Sequence, residues 1–181
     1  MALCVILSVV VMASSLLSAQ TAVKKNKKSL SSPKPEKESA LYETYRGTWF
    51  GLYFPRDWHV RPSLRDASRG ADDSVFFTAL DSAAEFYVYC PRYSGKPEDI
   101  EIDRTTEEQI SQTIEEKDGV RIRTVRIKAK DGSYTRIFED TVAFIVGRRL
   151  TFGFKFRDAA ALAKYDPLYV YFKSSFRKFT D

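Results

Sequence analysis

The sequence predicts an α+β protein with an antiparallel sheet and a C-terminal amphipathic helix. From residue 42 to residue 156, apolar side chains recur mainly at every second position, in short runs that Gly, Pro or Asp interrupt, as strands require. Near Asp158 the apolar spacing lengthens to the interval of a helix. With 181 residues, 44% of them hydrophobic and 14% aromatic, the chain can bury the core of one domain, which we assign to residues 41–181.

Residues 1–19 predict a signal peptide. They are apolar up to Ala13 except for Ser8, and then become small and polar toward Ala19, which is typical of a secretory leader and its cleavage region. No Lys or Arg precedes Lys24, whereas such leaders usually begin with basic residues, so an uncleaved N-terminal anchor is the alternative. We therefore expect an exported protein, periplasmic or secreted.

Residues 20–40 predict a flexible basic linker. The segment "KKNKKSLSSPKPEKES" has almost no large apolar residues, so burial cannot offset the entropy lost on ordering. Its six Lys and two Glu supply most of the net charge of +5 of the whole chain. The remainder is therefore close to neutral, which argues against a nucleic-acid partner. The linker is either a solvated spacer or a weak contact with anionic lipid head groups.

The first half of the domain predicts a meander. In "YRGTWFGLYFP", one strand places Phe50, Leu52 and Phe54 on one face before Pro55 ends it. "WHVRP" predicts a second short strand, and "VFFTAL" and "EFYVYC" predict two more, joined by "DSAA".

Trp58 and His59 follow the first strand and have opposite predicted roles. Pro55 cannot donate to a ladder, and Trp58 can then cover the open end of the core. His59 points away from Trp58 in an extended chain, so we expect it at the surface. As the only histidine it has no partner for a metal site and no evident nucleophile to activate.

Residues 105–117 fit either a helix or a strand. Thr105 and Glu108 resemble a capping box, and Ile110 and Ile114 are four residues apart, which favours a helix. "KDG" at 117–119 separates two runs rich in Thr, Ile and Val, which favours a hairpin. We favour the strand.

Three further strands and two helices complete the prediction. "VRIRTVRIKA" changes its apolar phase near Arg123, which predicts a β-bulge there, and "TRIFEDTVAFIV" returns from it. "LTFGFKF" then alternates as a half-buried strand. Asp158 can cap a first helix, and Pro167 can begin a second helix that lies on the sheet. The apolar side of this second helix comprises Leu168, Tyr171, Phe172, Ser175 and Phe179.

These features resemble the PsbP-like fold family. The resemblance rests on the aromatic-Pro-x-x-Trp turn "YFPRDWHV", the meander and a closing helix that carries "SSF", with Pro55, Trp58, Ser175 and Phe176 as its structural motif. That family includes the extrinsic PsbP protein of photosystem II, Mog-type Ran-binding proteins and exported bacterial relatives of unknown role. The resemblance implies an α/β/α sandwich around the antiparallel sheet, in a protein that binds or assembles rather than catalyses.

The sequence offers little catalytic or cofactor chemistry. It contains no G-x-x-x-x-G-K-[ST], G-x-G-x-x-G, C-x-x-C or H-E-x-x-H motif, and we predict no cofactor and no metal. Cys90 shares a strand face with Phe86 and Val88, so we expect a buried thiol. "PEDIEID" at 97–103 could offer oxygen ligands to Ca²⁺, but it lacks the spacing of a calcium loop, and we favour a solvated acidic edge strand.

A row of basic residues is the candidate partner-binding site. If the chain is extended there, it presents Arg121, Arg123 and Arg126 beside Tyr134 and Arg136 to an anionic partner. The alternative is a polar outer face that Glu115, Glu116 and Glu139 neutralise across the strands.

The sequence therefore predicts an exported, non-enzymatic binding or assembly module, with an unknown protein partner in the cell envelope. The alternative is a small-molecule carrier or small enzyme whose site lies in a cleft between the sheet and the C-terminal helix.

Overall fold

Alternating apolar side chains build two antiparallel sheets, and one helix packs on them. The computed structural model describes residues 41–63, 73–92 and 95–179, and the predicted signal peptide and linker lie outside these residues. The elements are β1 (Tyr42–Arg46), β2 (Phe50–Pro55), β3 (His59–Pro62), β4 (Ser74–Thr78), β5 (Ala84–Tyr89), β6 (Glu107–Lys117), β7 (Val120–Ala129), β8 (Thr135–Ala143), β9 (Arg148–Phe156), α1 (Ala159–Ser174) and β10 (Arg177–Lys178).

The larger sheet has seven strands in the order β3-β4-β5-β9-β8-β7-β6, all antiparallel to their neighbours. The predicted meander is confirmed for β3, β4 and β5 but not for β2, which belongs to the smaller sheet. The four strands from β6 to β9 form a second meander that joins the first where β9 pairs with β5. The described residues all belong to one compact unit. None of its helices is long and apolar enough to cross a bilayer.

Residues 107–117 form strand β6, as we favoured. The turn that follows contains Asp118 and Gly119 with φ angles of 51° and 74°, the left-handed conformation that a two-residue hairpin turn needs. This turn lets β6 pair with β7 along its full length. Hairpin pairing therefore overrides the helical spacing of the two isoleucines.

The predicted bulge near Arg123 in β7 is wrong. β7 pairs with β8 without a shift, and the irregular register lies between Gln109 and Ser111 of β6 instead. The change of apolar phase has another cause, because apolar groups cover both faces of the sheet. Val125 and Ile127 pack on one face, whereas Ile122 lies half-buried on the other.

The N-terminal run is a hairpin rather than the single strand we predicted. Gly47 donates its amide to the carbonyl of Phe50 (3.0 Å), and β1 and β2 pair on either side of this turn. The predicted burial of Phe50, Leu52 and Phe54 is confirmed. These two strands form a separate three-stranded sheet with β10.

The C-terminal region forms one helix, not the two that Pro167 suggested. Asp158 caps it as predicted, accepting from the amide of Ala161 at 2.8 Å. Pro167 lies inside the helix, which remains continuous because Tyr165 and Phe172 anchor it to the sheet on either side of the proline. The helix ends at Ser174 and does not reach Phe179, because Arg177 and Lys178 pair with β2.

Aromatic side chains fill the interface between α1 and the larger sheet. Phe172 is fully buried, with its ring centroid 5.2 Å from those of both Phe77 and Phe86. Trp58 packs at the margin of this core, 4.6 Å from the Phe86 ring and 5.5 Å from the Tyr165 ring, as predicted. The cleft that we placed between sheet and helix in the alternative prediction is thus occupied by packed rings.

Ser175 of the structural motif ties the end of α1 to β2. Its Oγ accepts from the amide of Tyr53 at 2.8 Å and donates to the carbonyl of Phe172 at 2.8 Å. Pro55 is buried at the end of β2, and the ring of Phe176 stacks 5.6 Å from that of Phe50. The motif therefore joins the small sheet to the helix.

We expect Ser175→Ala to lower the free energy of unfolding by about 1–3 kcal/mol, because it removes a buried acceptor that bridges two elements. Urea denaturation would measure the change. Ser174→Ala is the matched control, since Ser174 Oγ is exposed and donates only to Tyr171 of its own helix. Equal losses from both substitutions would contradict the bridging role of Ser175.

Candidate functional site

The candidate site is the outer face of the larger sheet, which is the face turned away from α1. Residues 95–106, here called the covering segment, cross part of this face and contain a 3₁₀ turn at Glu98–Ile100. Ile100 and Ile102 pack there against a second apolar cluster that includes Tyr87, Val125 and Phe138. The acidic stretch at residues 97–103 therefore covers part of the sheet and is fixed there by Ile100 and Ile102. The edge strand that we favoured for it is wrong.

A first cleft of about 450 Å³ lies beside the covering segment, toward strands β3 to β5. Gly153 in its lining lets Phe138 and Tyr87 pack closely over β9, because a Cβ at this position would lie 2.7 Å from the Phe138 ring and 3.0 Å from Tyr87 Cβ. Two cations stack on aromatic rings at its walls. Lys155 Nζ is 4.2 Å from the Tyr134 centroid, and the guanidinium of Arg61 is 4.1 Å from that of Phe76.

A buried ion pair organises the end of the first cleft. The Arg136 guanidinium donates to the carboxylate of Glu107 and to the carbonyls of Asp99 (3.0 Å) and Glu101 (2.9 Å). Tyr134 donates its hydroxyl to the other oxygen of Glu107 at 2.7 Å. These bonds fix the covering segment to strands β6 and β8.

Both acidic groups of this cluster titrate far from neutral pH. Burial alone would raise the pKa of Glu107, but hydrogen bonds from Arg136 and Tyr134 outweigh it and lower this pKa below the ordinary carboxyl value. Burial and the neighbouring Glu107 carboxylate raise the pKa of Tyr134 to about 12. At neutral pH the carboxylate is charged and the phenol is protonated.

A second cleft of about 610 Å³ lies on the other side of the covering segment, toward β6. Its wall is apolar where Ile100, Val125 and Ile127 meet. Its polar lining includes the cations Lys96, Arg121, Arg123 and Arg149. The cleft therefore combines an apolar surface with several positive charges.

Asp140 holds two of these cations in place. Arg149 donates to both carboxylate oxygens of Asp140, at 2.8 and 2.7 Å, and Thr151 donates to one of them at 2.9 Å. Arg123 Nη2 lies 3.7 Å from the same carboxylate. Arg149 also reaches the carbonyl of Gly95 at 2.9 Å, which fixes the start of the covering segment. Paired side chains that bond in this way are rigid elements of a surface.

The structure does not bring the five predicted partner-binding residues together. Arg121 and Arg123 line the second cleft, whereas Tyr134 and Arg136 line the first. Arg126 is exposed on the helix side of the sheet, in register with Ile137. Alternation of the faces along β7 explains the position of Arg126. The other residues separate because Arg136 pairs with Ile127, near the opposite end of β7 from Arg121.

His59 and Cys90 occupy the environments that we expected, whereas Asp99 does not. His59 is exposed on β3. Cys90 is buried in the helix-side core with Phe86 and Val88, as predicted, and burial raises the pKa of its thiol. Asp99 accepts from Ser74 Oγ at 3.1 Å and from the more distant Tyr87 hydroxyl at 3.4 Å. Among the described ranges no group of three His, Cys, Asp or Glu side chains is arranged to hold a metal.

Sequence reasoning missed Glu107, Asp140 and Arg149 as site residues. Asp140 and Arg149 could have been found, because a hairpin of "EDTVAFIVGRR" brings Asp140 opposite Thr151 and next to Arg149 on one face. Glu107 could not have been found from the sequence. Its contact with Arg136 depends on the shifted register within β6 and on β7, which lies between the two strands.

These elements define the class of fold: an antiparallel sandwich in which α1 packs on one face of the larger sheet and the covering segment lies on part of the other face. Its fold is that of PsbP. The chain is similar to cyanobacterial PsbP (CyanoP) from Synechocystis, with a TM-score of 0.50, 16% sequence identity and coverage of 77% of this chain and 94% of that chain. The predicted resemblance to the PsbP-like fold is thereby confirmed for the fold.

A second solved structure, the Ran-binding protein Mog1p from Saccharomyces cerevisiae, matches with a TM-score of 0.40 and 8% identity, over 75% of this chain and 94% of that chain. No family model and no curated protein matches the sequence.

Proposed function

We propose that this protein is an exported, non-enzymatic binding module that holds a protein partner of the cell envelope on the outer face of its larger sheet. The second cleft carries this proposal, because its apolar wall and its cations suit a partner segment that has both apolar and acidic side chains. The apolar leader at residues 1–19 supports export.

The protonation states of the outer face also favour binding over catalysis. General acid–base catalysis near neutral pH needs a group whose pKa lies near the working pH. In the first cleft the pKa of Glu107 is lowered and that of Tyr134 is raised to about 12, so neither exchanges a proton readily at pH 7. The two side chains are also hydrogen-bonded to each other, and Arg136 donates a further hydrogen bond to Glu107. Such fixed charges are suited to recognising a complementary surface.

Photo-crosslinking from adjacent residues of β6 tests the proposed surface. Gln112 lines the second cleft, whereas the exposed Thr113 faces the opposite side of the sheet, in register with Thr124. A benzophenone amino acid at position 112 of the full chain, expressed in its own cells, should give one discrete protein adduct in the envelope fraction. The same probe at position 113 is the matched control and should give none.

A change of charge at the rim should weaken this adduct. Lys96 is exposed at the second cleft, and Lys96→Glu should lower the yield from position 112 by about tenfold, because it brings a like charge to an acidic partner. Equal adducts from positions 112 and 113, or a yield that Lys96→Glu leaves unchanged, would contradict the assignment of the surface. Recovery of the protein only from the cytosol would contradict export.

A further inference from the structure

The turn between β8 and β9 exposes three consecutive apolar side chains. Phe144, Ile145 and Val146 are 49%, 84% and 59% exposed, and we call these three residues the apolar tip. Single exposed hydrophobic residues are common on protein surfaces, but a contiguous apolar group at the end of a hairpin marks a contact site.

The apolar tip is held in shape by the neighbouring hairpin. The amide of Phe144 donates to the carbonyl of Gly119 at 3.0 Å, and the amide of Gly147 donates back to Phe144 at 3.4 Å. Ile145 rests on Gly119, since a Cβ at this glycine would lie 2.9 Å from Ile145 Cδ1. The guanidinium of Arg121 lies 5.0 Å from the centroid of the Phe144 ring. The exposed side chains are therefore presented by an ordered turn.

The apolar tip also projects beyond the neighbouring part of the sheet. β9 pairs with β5 only from Thr151 onward, whereas residues 148–150 pair with β8 alone. Three residues of strand span about 10 Å, so the hairpin extends by that distance past the end of β5. A planar surface could meet the apolar tip before it meets the end of β5.

Basic side chains lie on the strand ends next to the apolar tip. Lys117 and Arg148 are exposed and Arg121 is half-buried, while Arg149 is engaged by Asp140. The acidic residues of the adjacent turn and strand end are Glu116 and Asp118, so positive charge predominates at the tip itself. Apolar side chains with Lys and Arg beside them match the boundary between acyl chains and anionic head groups.

We propose that the apolar tip inserts into the interface of an anionic lipid membrane, with Lys117, Arg121 and Arg148 at the level of the head groups. This contact shares Arg121 with the second cleft, but Phe144, Ile145 and Val146 do not line that cleft, and insertion does not depend on the proposed partner. It would orient the folded domain on a membrane, in addition to any contact made by the Lys-rich linker.

A fluorescent probe at the apolar tip tests insertion directly. The full chain carries the changes Cys4→Ser and Ile145→Cys, with an NBD group on the new thiol, while Cys90 is buried and does not label. Vesicles of equal parts phosphatidylglycerol and phosphatidylcholine should shift NBD emission to the blue, and lipids with a spin label on the acyl chain should quench it. The matched control is Leu80→Cys in the β4–β5 turn at the opposite end of the sheet, where the native side chain is 65% exposed.

Vesicle flotation of unlabelled protein measures the affinity. Replacing Phe144, Ile145 and Val146 together by serine should weaken partitioning by about tenfold or more, whereas Leu80→Ser should leave it unchanged. Thermal melting of each variant shows whether it remains folded. An NBD probe at position 145 that stays in water, or that responds equally to pure phosphatidylcholine, would overturn the proposal. So would a probe at 145 that responds to a protein partner but not to vesicles.

Discussion

Replacing Phe172 by alanine is expected to lower the free energy of unfolding by about 3–5 kcal/mol, which is the range for removing a large aromatic group from a core. Phe172 is fully buried between α1 and the larger sheet. Its ring meets those of Phe77 and Phe86 on β4 and β5, and that of Phe152 on β9. The cavity would therefore lie where the two halves of the larger sheet join, and few neighbours could move to fill it.

Chemical denaturation followed by circular dichroism would measure the loss in Phe172→Ala. Val170→Ala is the matched control, because Val170 lies on the same helix and is 59% exposed, and it should change stability by no more than about 0.5 kcal/mol. If Phe172→Ala were as mild as Val170→Ala, the helix would not be sealing the core of this fold.

Breaking the buried ion pair on the outer face is the second change with a large expected effect. Arg136→Met should destabilise the protein by about 3–5 kcal/mol, because Glu107 would remain buried without its cation. The substitution also removes the donors to the carbonyls of Asp99 and Glu101, so the covering segment should exchange its amide hydrogens faster.

A double variant separates the loss of the pair from the loss of packing. Arg136→Met combined with Glu107→Leu should be more stable than Arg136→Met alone, since no unpaired charge is then buried. Arg126→Met is the control on the neighbouring strand, where the arginine is exposed, and it should be nearly neutral. A double variant less stable than Arg136→Met alone would contradict the ion-pair account.

The same pair predicts how stability depends on pH. The pKa of Glu107 is lower in the folded protein than in the unfolded chain. The stabilisation that the ionised carboxylate gives to the folded state is therefore fully present when the pH is above the ordinary carboxyl pKa. It is lost as the pH falls through the lowered value of the folded state. Arg136→Met removes the hydrogen bond and the positive charge that lower the pKa of Glu107. The stability of this variant should therefore fall less steeply in acid than that of the unsubstituted protein.

The two proposed surfaces are neighbours on one scaffold and share Arg121. The second cleft lies on the outer face, where the ion pairs of Asp140 and Glu107 fix the covering segment. The apolar tip lies at the end of the β8–β9 hairpin, beyond the last pair that β5 makes with β9. A domain held at a membrane by the apolar tip could present the second cleft to a partner of the cell envelope.

The sequence by itself determined most of the extended segments and many side chains of the helix-side core, although it did not reveal the turn at Gly47 or the conformation of residues 97–103. Alternation in "LTFGFKF" places Phe152, Phe154 and Phe156 on one face whatever strand lies beside them, because successive side chains of a strand point to opposite sides. The same rule located Cys90, and the turn residues "KDG" located the β6–β7 hairpin.

Only the tertiary structure decided which groups meet on the outer face. β9 joins β5, although the two are separated by the three intervening strands of the chain, and this pairing places Gly153 beside Tyr87. Glu107 reaches Arg136 across β7, and a one-residue change of register in β6 would turn its carboxylate to the other face. Local periodicity fixes the direction of a side chain relative to its own strand. Its partners depend on strand order and register, which the whole chain selects by burying both faces of the sheet at once.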